Sequence, residues 1–157
     1  MPLVFAAIMP HGGEIIPELA EEPLLMAHTR AGMMSIGSGF TAAGIDTVIV
    51  ITPHGHIYKD VITVSCCKTA AGALDGPRGE RIGASFKVDT DLANALLNHP
   101  TLPLVGLTTD DDTVAFPLDW GALIPLLFTA DTNESLCKVV VLAEDRGLSR
   151  DVLVAAG

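Results

Sequence analysis

The chain has 157 residues, 49% of them hydrophobic and 18% charged, a balance that excludes a disordered or collagen-like polymer and sets the scale at one core-bearing domain. Nine Lys plus Arg stand against 19 Asp plus Glu, and the resulting net charge of −10 repels nucleic-acid backbones and anionic membrane surfaces. Aromatic residues make up only 4%, too few for extended base-stacking platforms, and no apolar run approaches the ~20 residues that cross a bilayer.

Apolar stretches of strand length alternate with helix-compatible segments, which predicts an α/β fold with a parallel sheet. Residues 3–9, almost wholly apolar, are expected as a first strand covered on both faces. Residues 18–37 read as a helix with Glu18, Glu21 and Glu22 in its first turns, where the helix dipole favours carboxylates. Residues 47–52 are the most β-branched run and the clearest strand, and another strand follows at 61–66. Residues 68–83, rich in Gly and polar side chains and containing Pro77, predict an irregular excursion with hairpin character.

Residues 89–97 predict a helix opened by an Asp or Thr cap, 103–107 a strand, and 108–116 a loop. Residues 117–130 are helix-like despite Pro125, and 139–143 read as a strand. Residues 148–156 begin an amphipathic helix with Leu148, Val152, Leu153 and Ala156 on one side. With neither a repeat nor a linker, residues 1–157 are expected to form a single domain. The Met-Pro start carries no basic leader or cleavage site, so no secretory signal is expected. Cys66, Cys67 and Cys137 are odd in number and lack CxxC spacing, which predicts buried thiols in a reducing cytoplasm.

Ligands of open α/β sheets bind beyond the carboxyl ends of the strands, and two predicted strands deliver histidines there. The first ends in Met9-Pro10-His11-Gly12-Gly13-Glu14, and the 47–52 strand ends in Pro53-His54-Gly55-His56. In each, proline keeps the preceding residue extended and glycine permits a sharp turn or close ligand approach. A single Pro-His-Gly is a turn histidine bonding local backbone. Two at equivalent strand ends point to a metal or catalytic site, because neutral imidazoles with a carboxylate form the face that holds non-haem Fe(II).

Glu14 and Glu144 are candidate carboxylates. His28 reads as a helical surface histidine, His99 as a helix C-cap, and Asp110, Asp111 and Asp112 as a solvated turn. No Walker loop, GxSxG elbow or HExxH helix is present, and Gly37-x-Gly39 precedes a strand instead of following one.

Four segments together resemble the class III extradiol ring-cleavage dioxygenases of the LigB type: residues 4–11, 48–55 and 118–126, and Gly147-Leu148-Ser149-Arg150. The resemblance implies a three-layer α/β fold with a mainly parallel central sheet. It also implies an Fe(II) held by two histidines and a glutamate, a catechol chelating the iron through both hydroxyls, and O2 binding beside it. His11 and His54 match the two histidine ligands; His56 is not a family ligand and takes a catalytic role either backing a ligand or facing the substrate.

Asp119-Trp120-Gly121 matches a segment in which many members carry His in the middle, so Trp120 reads as a packing residue. Family members run further. Their glutamate and their acid/base histidine would follow Gly157, so Glu14 is the nearest substitute for the third ligand here. The expectations are an oxidoreductase of aromatic catabolism in the cytoplasm, acting as a homo-oligomer or with a completing subunit. A zinc-dependent relative and a non-catalytic binding or assembly module are the alternatives.

Overall fold

A computed structural model describes residues 3–129 and 137–156. A four-stranded sheet holds β1 (Thr47–Thr52), β7 (Lys138–Glu144), β2 (Ile62–Ser65) and β5 (Leu104–Leu107), in that order. β1 pairs with β7 and β2 with β5 in parallel, while β2 meets β7 antiparallel. The chain is thus α/β with a mainly parallel sheet, as expected, with one antiparallel seam at its centre. A second sheet holds β4 (Arg81–Lys87), β3 (Thr69–Asp75) and β6 (Phe116–Pro117), with β3 and β4 antiparallel. The expected hairpin excursion is this pair.

Helix α2 (Thr90–Leu97) covers one face of the main sheet, where Val64 and Val140 pack with Ala93 and the helix leucines Leu92, Leu96 and Leu97. On the other face α3 (Trp120–Thr129) inserts Ala122, Leu123 and Leu126 between Val48, Val139 and Val141 of the main sheet and Phe86 and Phe116 of the second. Helix α1 (Ala27–Ala43) packs outside α3, its Gly37 lying so close to the Phe128 carbonyl that a Cβ would stand 1.9 Å from it. The short α4 (Arg150–Ala156) has no buried residue. Among the described residues no helix is long and apolar enough to cross a membrane.

Two expectations are corrected. Residues 3–9 pair with no strand among the described residues, and Leu3, Val4 and Ile8 are exposed; Phe5 alone stacks, on Phe40 at 4.5 Å. An apolar run supplies side chains for a core but cannot by itself secure a neighbouring strand edge. The helix expected over 18–37 starts at Ala27, because Pro23 lacks the amide an internal turn needs, and residues 18–22 turn irregularly. That helix runs on to Ala43, where Gly44 closes it at φ 61°.

Candidate metal centre

His54 stands just past the carboxyl end of β1, and four contacts fix it. The buried Thr52 hydroxyl accepts from the His54 N–H at 3.3 Å and donates to Asp119 Oδ1 at 2.8 Å. The same carboxylate oxygen accepts from the Gly121 N–H at 2.7 Å, tying the first turn of α3 to the end of β1. The close approach depends on Gly121, where a Cβ would stand 2.6 Å from Thr52 Oγ1 and 3.2 Å from His54 Cδ2. Trp120 then lies over the imidazole, with centroids 4.5 Å apart and planes 32° apart.

His11 arrives on a different segment. The 3-10 turn Gly13–Ile15 follows it and buries Ile15 and Ile16 against Met33 and Ile124. From α1, Arg30 Nε donates to the Ile15 carbonyl at 2.6 Å, and Arg30 Nη2 to the Pro23 carbonyl at 3.0 Å. This anchor brings the His11 Nε2 to 3.1 Å from the His54 Nε2, both rings half-buried, their planes at 73°. Without an ion, one Nε2–H can donate to the lone pair of the other. Two nitrogens bonded at about 2.1 Å to one ion at right angles stand about 3.0 Å apart, so the same placement fits two adjacent positions of an octahedral or facial site.

A cleft of ≈ 210 Å³ opens beside this pair, lined by His54, Gly55, His56, Pro117, Leu118 and Asp119. His56 is exposed there, its ring edge-on to Phe116 at 5.6 Å, and its carbonyl accepts from the Thr63 hydroxyl at 2.7 Å. Asp145 braces the far end of this loop by accepting from the Gly147 and Asp60 N–H groups, which hold its carboxyl below the ordinary carboxylate range.

The structure brings His11, His54 and His56 to one end of the sheet but does not gather Glu14 with them. Glu14 lines a different, larger cavity of ≈ 610 Å³ with Glu21, Glu22 and Asp75, which none of the histidines lines. Among the described residues no three His, Cys, Asp or Glu side chains assemble as a metal cage. Glu14 is exposed in the 3-10 turn that follows Gly12, and its carboxylate folds back over that glycine, where a Cβ would stand 3.2 Å from Oε2. Trp120, read from sequence as a packing residue, is instead 48% exposed and stacks on a candidate ligand. Arg30 and Thr52 had no distinguishing signal in the sequence, since their roles follow from contacts across 15 and 67 positions of chain.

Residues 5–148 match the family described as the catalytic LigB subunit of aromatic ring-opening dioxygenase. The chain belongs to the LigB family. A curated relative, Protein CA_C1420 of Clostridium acetobutylicum, is 24% identical over 129 residues, covering 77% of this chain and 27% of the relative. The chain therefore spans about a quarter of the length of that relative. Both candidate histidines, the cleft and the Asp119-Trp120-Gly121 turn lie inside the family match.

Proposed function

We propose that this LigB-family chain forms part of an extradiol dioxygenase that opens a catechol-type ring with O2, using Fe(II) held by His11 and His54. The observation that carries the reading is the imidazole pair, two Nε2 atoms at 3.1 Å delivered by two segments to the mouth of a cleft. Cavities of about 150 Å³ accept benzene, so a cleft of ≈ 210 Å³ is scaled to one ring with its hydroxyls. When bound, an iron held by His11 and His54 would be chelated by the two ring hydroxyls and would supply the redox chemistry that O2 needs.

The protein's own groups divide the remaining work. His11 and His54 present neutral nitrogens to the ion, and Trp120 covers one face of His54 and limits water there. His56, on the cleft wall, would take a hydroxyl proton from the ring as it binds. The third ligand and a further acid/base would come from additional polypeptide or a partner subunit, since two imidazoles alone leave the ion weakly held.

Anaerobic loading with Fe(II), then catechol and air, tests the reading. O2 uptake with a yellow ring-opened product is expected once the completing polypeptide is present. Full iron loading in the presence of that polypeptide, without uptake across a panel of catechols, would overturn it. The lack of a third clustered ligand among the described residues favours a second reading, a non-catalytic binding module on the same scaffold. That reading predicts no stoichiometric metal. A zinc-dependent relative would be recognised by metal analysis of the isolated protein.

A further inference from the structure

We propose that the cleft beside His54 admits catechols without an acidic substituent and that Asp119 is the specificity-determining residue; the inference rests on the ring-opening reading of the same site. The Asp119 carboxylate has one oxygen engaged and one free. Oδ1 accepts from the Thr52 hydroxyl and the Gly121 and Ala122 N–H groups, at 2.8, 2.7 and 3.3 Å. Oδ2 has no hydrogen-bond donor among the described residues and lies against Gly55, 3.4 Å from where a Cβ on that glycine would stand. Gly55 and Asp119 both line the cleft, so the free oxygen borders the space a ring would occupy.

No lysine or arginine among the described residues lines that space. A ring carboxylate seated here would meet a like charge in a partly desolvated cleft, with no lysine or arginine on the wall to offset it. A ring bearing only hydroxyls brings no such charge. The metal ion does not discriminate between the two, because both would reach it through the same pair of hydroxyls. The choice falls to the wall of the cleft, and among the described residues on that wall the only carboxylate is Asp119.

Trp120 is the sole tryptophan of the chain and stacks on His54, so its emission reports occupancy of the cleft without turnover. The experiment titrates the Zn(II)-loaded full chain, anaerobically, with catechol and with 3,4-dihydroxybenzoate. The acid is expected to bind at least about tenfold more weakly. In Asp119→Asn, which keeps the Oδ1 acceptor and the helix cap, the two affinities should converge to within about threefold.

A second variant, Pro117→Lys, adds a cation at an exposed position of the same wall and should also raise the affinity for the acid, whether or not Asp119→Asn folds. Equal or tighter binding of 3,4-dihydroxybenzoate by the native chain would overturn the selectivity while leaving the ring-opening reading standing. Discrimination unchanged in both folded variants would do the same. If neither compound changes the emission, the selectivity proposal falls, while O2 uptake in the presence of the completing polypeptide still decides the ring-opening reading.

Discussion

Arg30 of helix α1 donates its Nε–H to the Ile15 carbonyl at 2.6 Å and thereby fastens the turn that follows His11. A guanidinium can serve the Ile15 and Pro23 carbonyls at once; a lysine offers a single point of attachment. Arg30→Ala is expected to weaken Co(II) or Zn(II) binding by about 10- to 100-fold, the range for groups that support a ligand from behind. His28→Ala, at an exposed position of the same helix, should leave the affinity unchanged. Equal affinity in the two variants would show that Arg30 holds the turn without holding His11.

Removing either imidazole of the candidate pair has a sharper consequence. His11→Ala or His54→Ala leaves one nitrogen, and metal affinity should fall at least about 100-fold in either case. The double variant should lose little more than either single one, because groups that act as a unit are not additive. Isothermal titration with Zn(II) reads all three. Independent losses that sum in the double variant would mean the rings bind separate ions or none in common.

Much of this arrangement could be anticipated from sequence because local signals pointed in the same direction as the tertiary packing. The β-branched run Thr47–Thr52 is a strand end to end, and Asp89 caps α2 through the Leu92 N–H as its position before a helical run suggests. The two Pro-His-Gly turns placed their histidines at one edge, and the rings meet. What escaped was whatever depends on a partner segment. Residues 3–9 have the composition of a strand but no paired neighbour among the described residues, and the orientation of Glu14 is set by a 3-10 turn that composition does not announce. Trp120 looked like core because large aromatics usually are; its place on His54 follows from the Asp119 cap and the glycine after it.

Gly121 offers a test of how tightly α3 and β1 are drawn together. A methyl group there would stand 2.6 Å from Thr52 Oγ1 and 2.8 Å from Asp119 Oδ1, both fixed by their mutual hydrogen bond. Gly121→Ala should destabilise the fold by about 1–3 kcal/mol through overpacking and weaken metal binding by displacing His54. Gly32→Ala is the contrasting change, in the middle of α1 with nothing within 4 Å of the new Cβ. It should stabilise the fold by about 0.5–1 kcal/mol. Urea denaturation of both variants checks the signs, and a neutral Gly121→Ala would show that the helix end can yield.

Asp89 lies at the opposite end of β1 and connects stability to pH. Its Oδ2 accepts from the Thr47 hydroxyl at 2.6 Å and its Oδ1 from the Leu92 N–H at 3.1 Å, with Lys138 Nζ 3.9 Å away. Chiefly through the Thr47 bond, and then the Leu92 bond, its carboxyl is held below the ordinary value of 3.8. A depressed folded value means that the unfolded chain takes up the proton first. The stabilisation is therefore complete above pH 3.8 and is lost as pH falls towards the folded value. Asp89→Ala should cost about 1–2 kcal/mol at pH 7, the usual loss for a cap, and the gap to the native chain should narrow in acid. Strands rise about 3.3 Å per residue, so Thr47 stands well away from the far end of β1, where His54 sits. Metal affinity at neutral pH should be unchanged in this variant. A stability gap constant with pH, or a loss of metal affinity equal to that of Gly121→Ala, would show that the two ends of β1 are not independent.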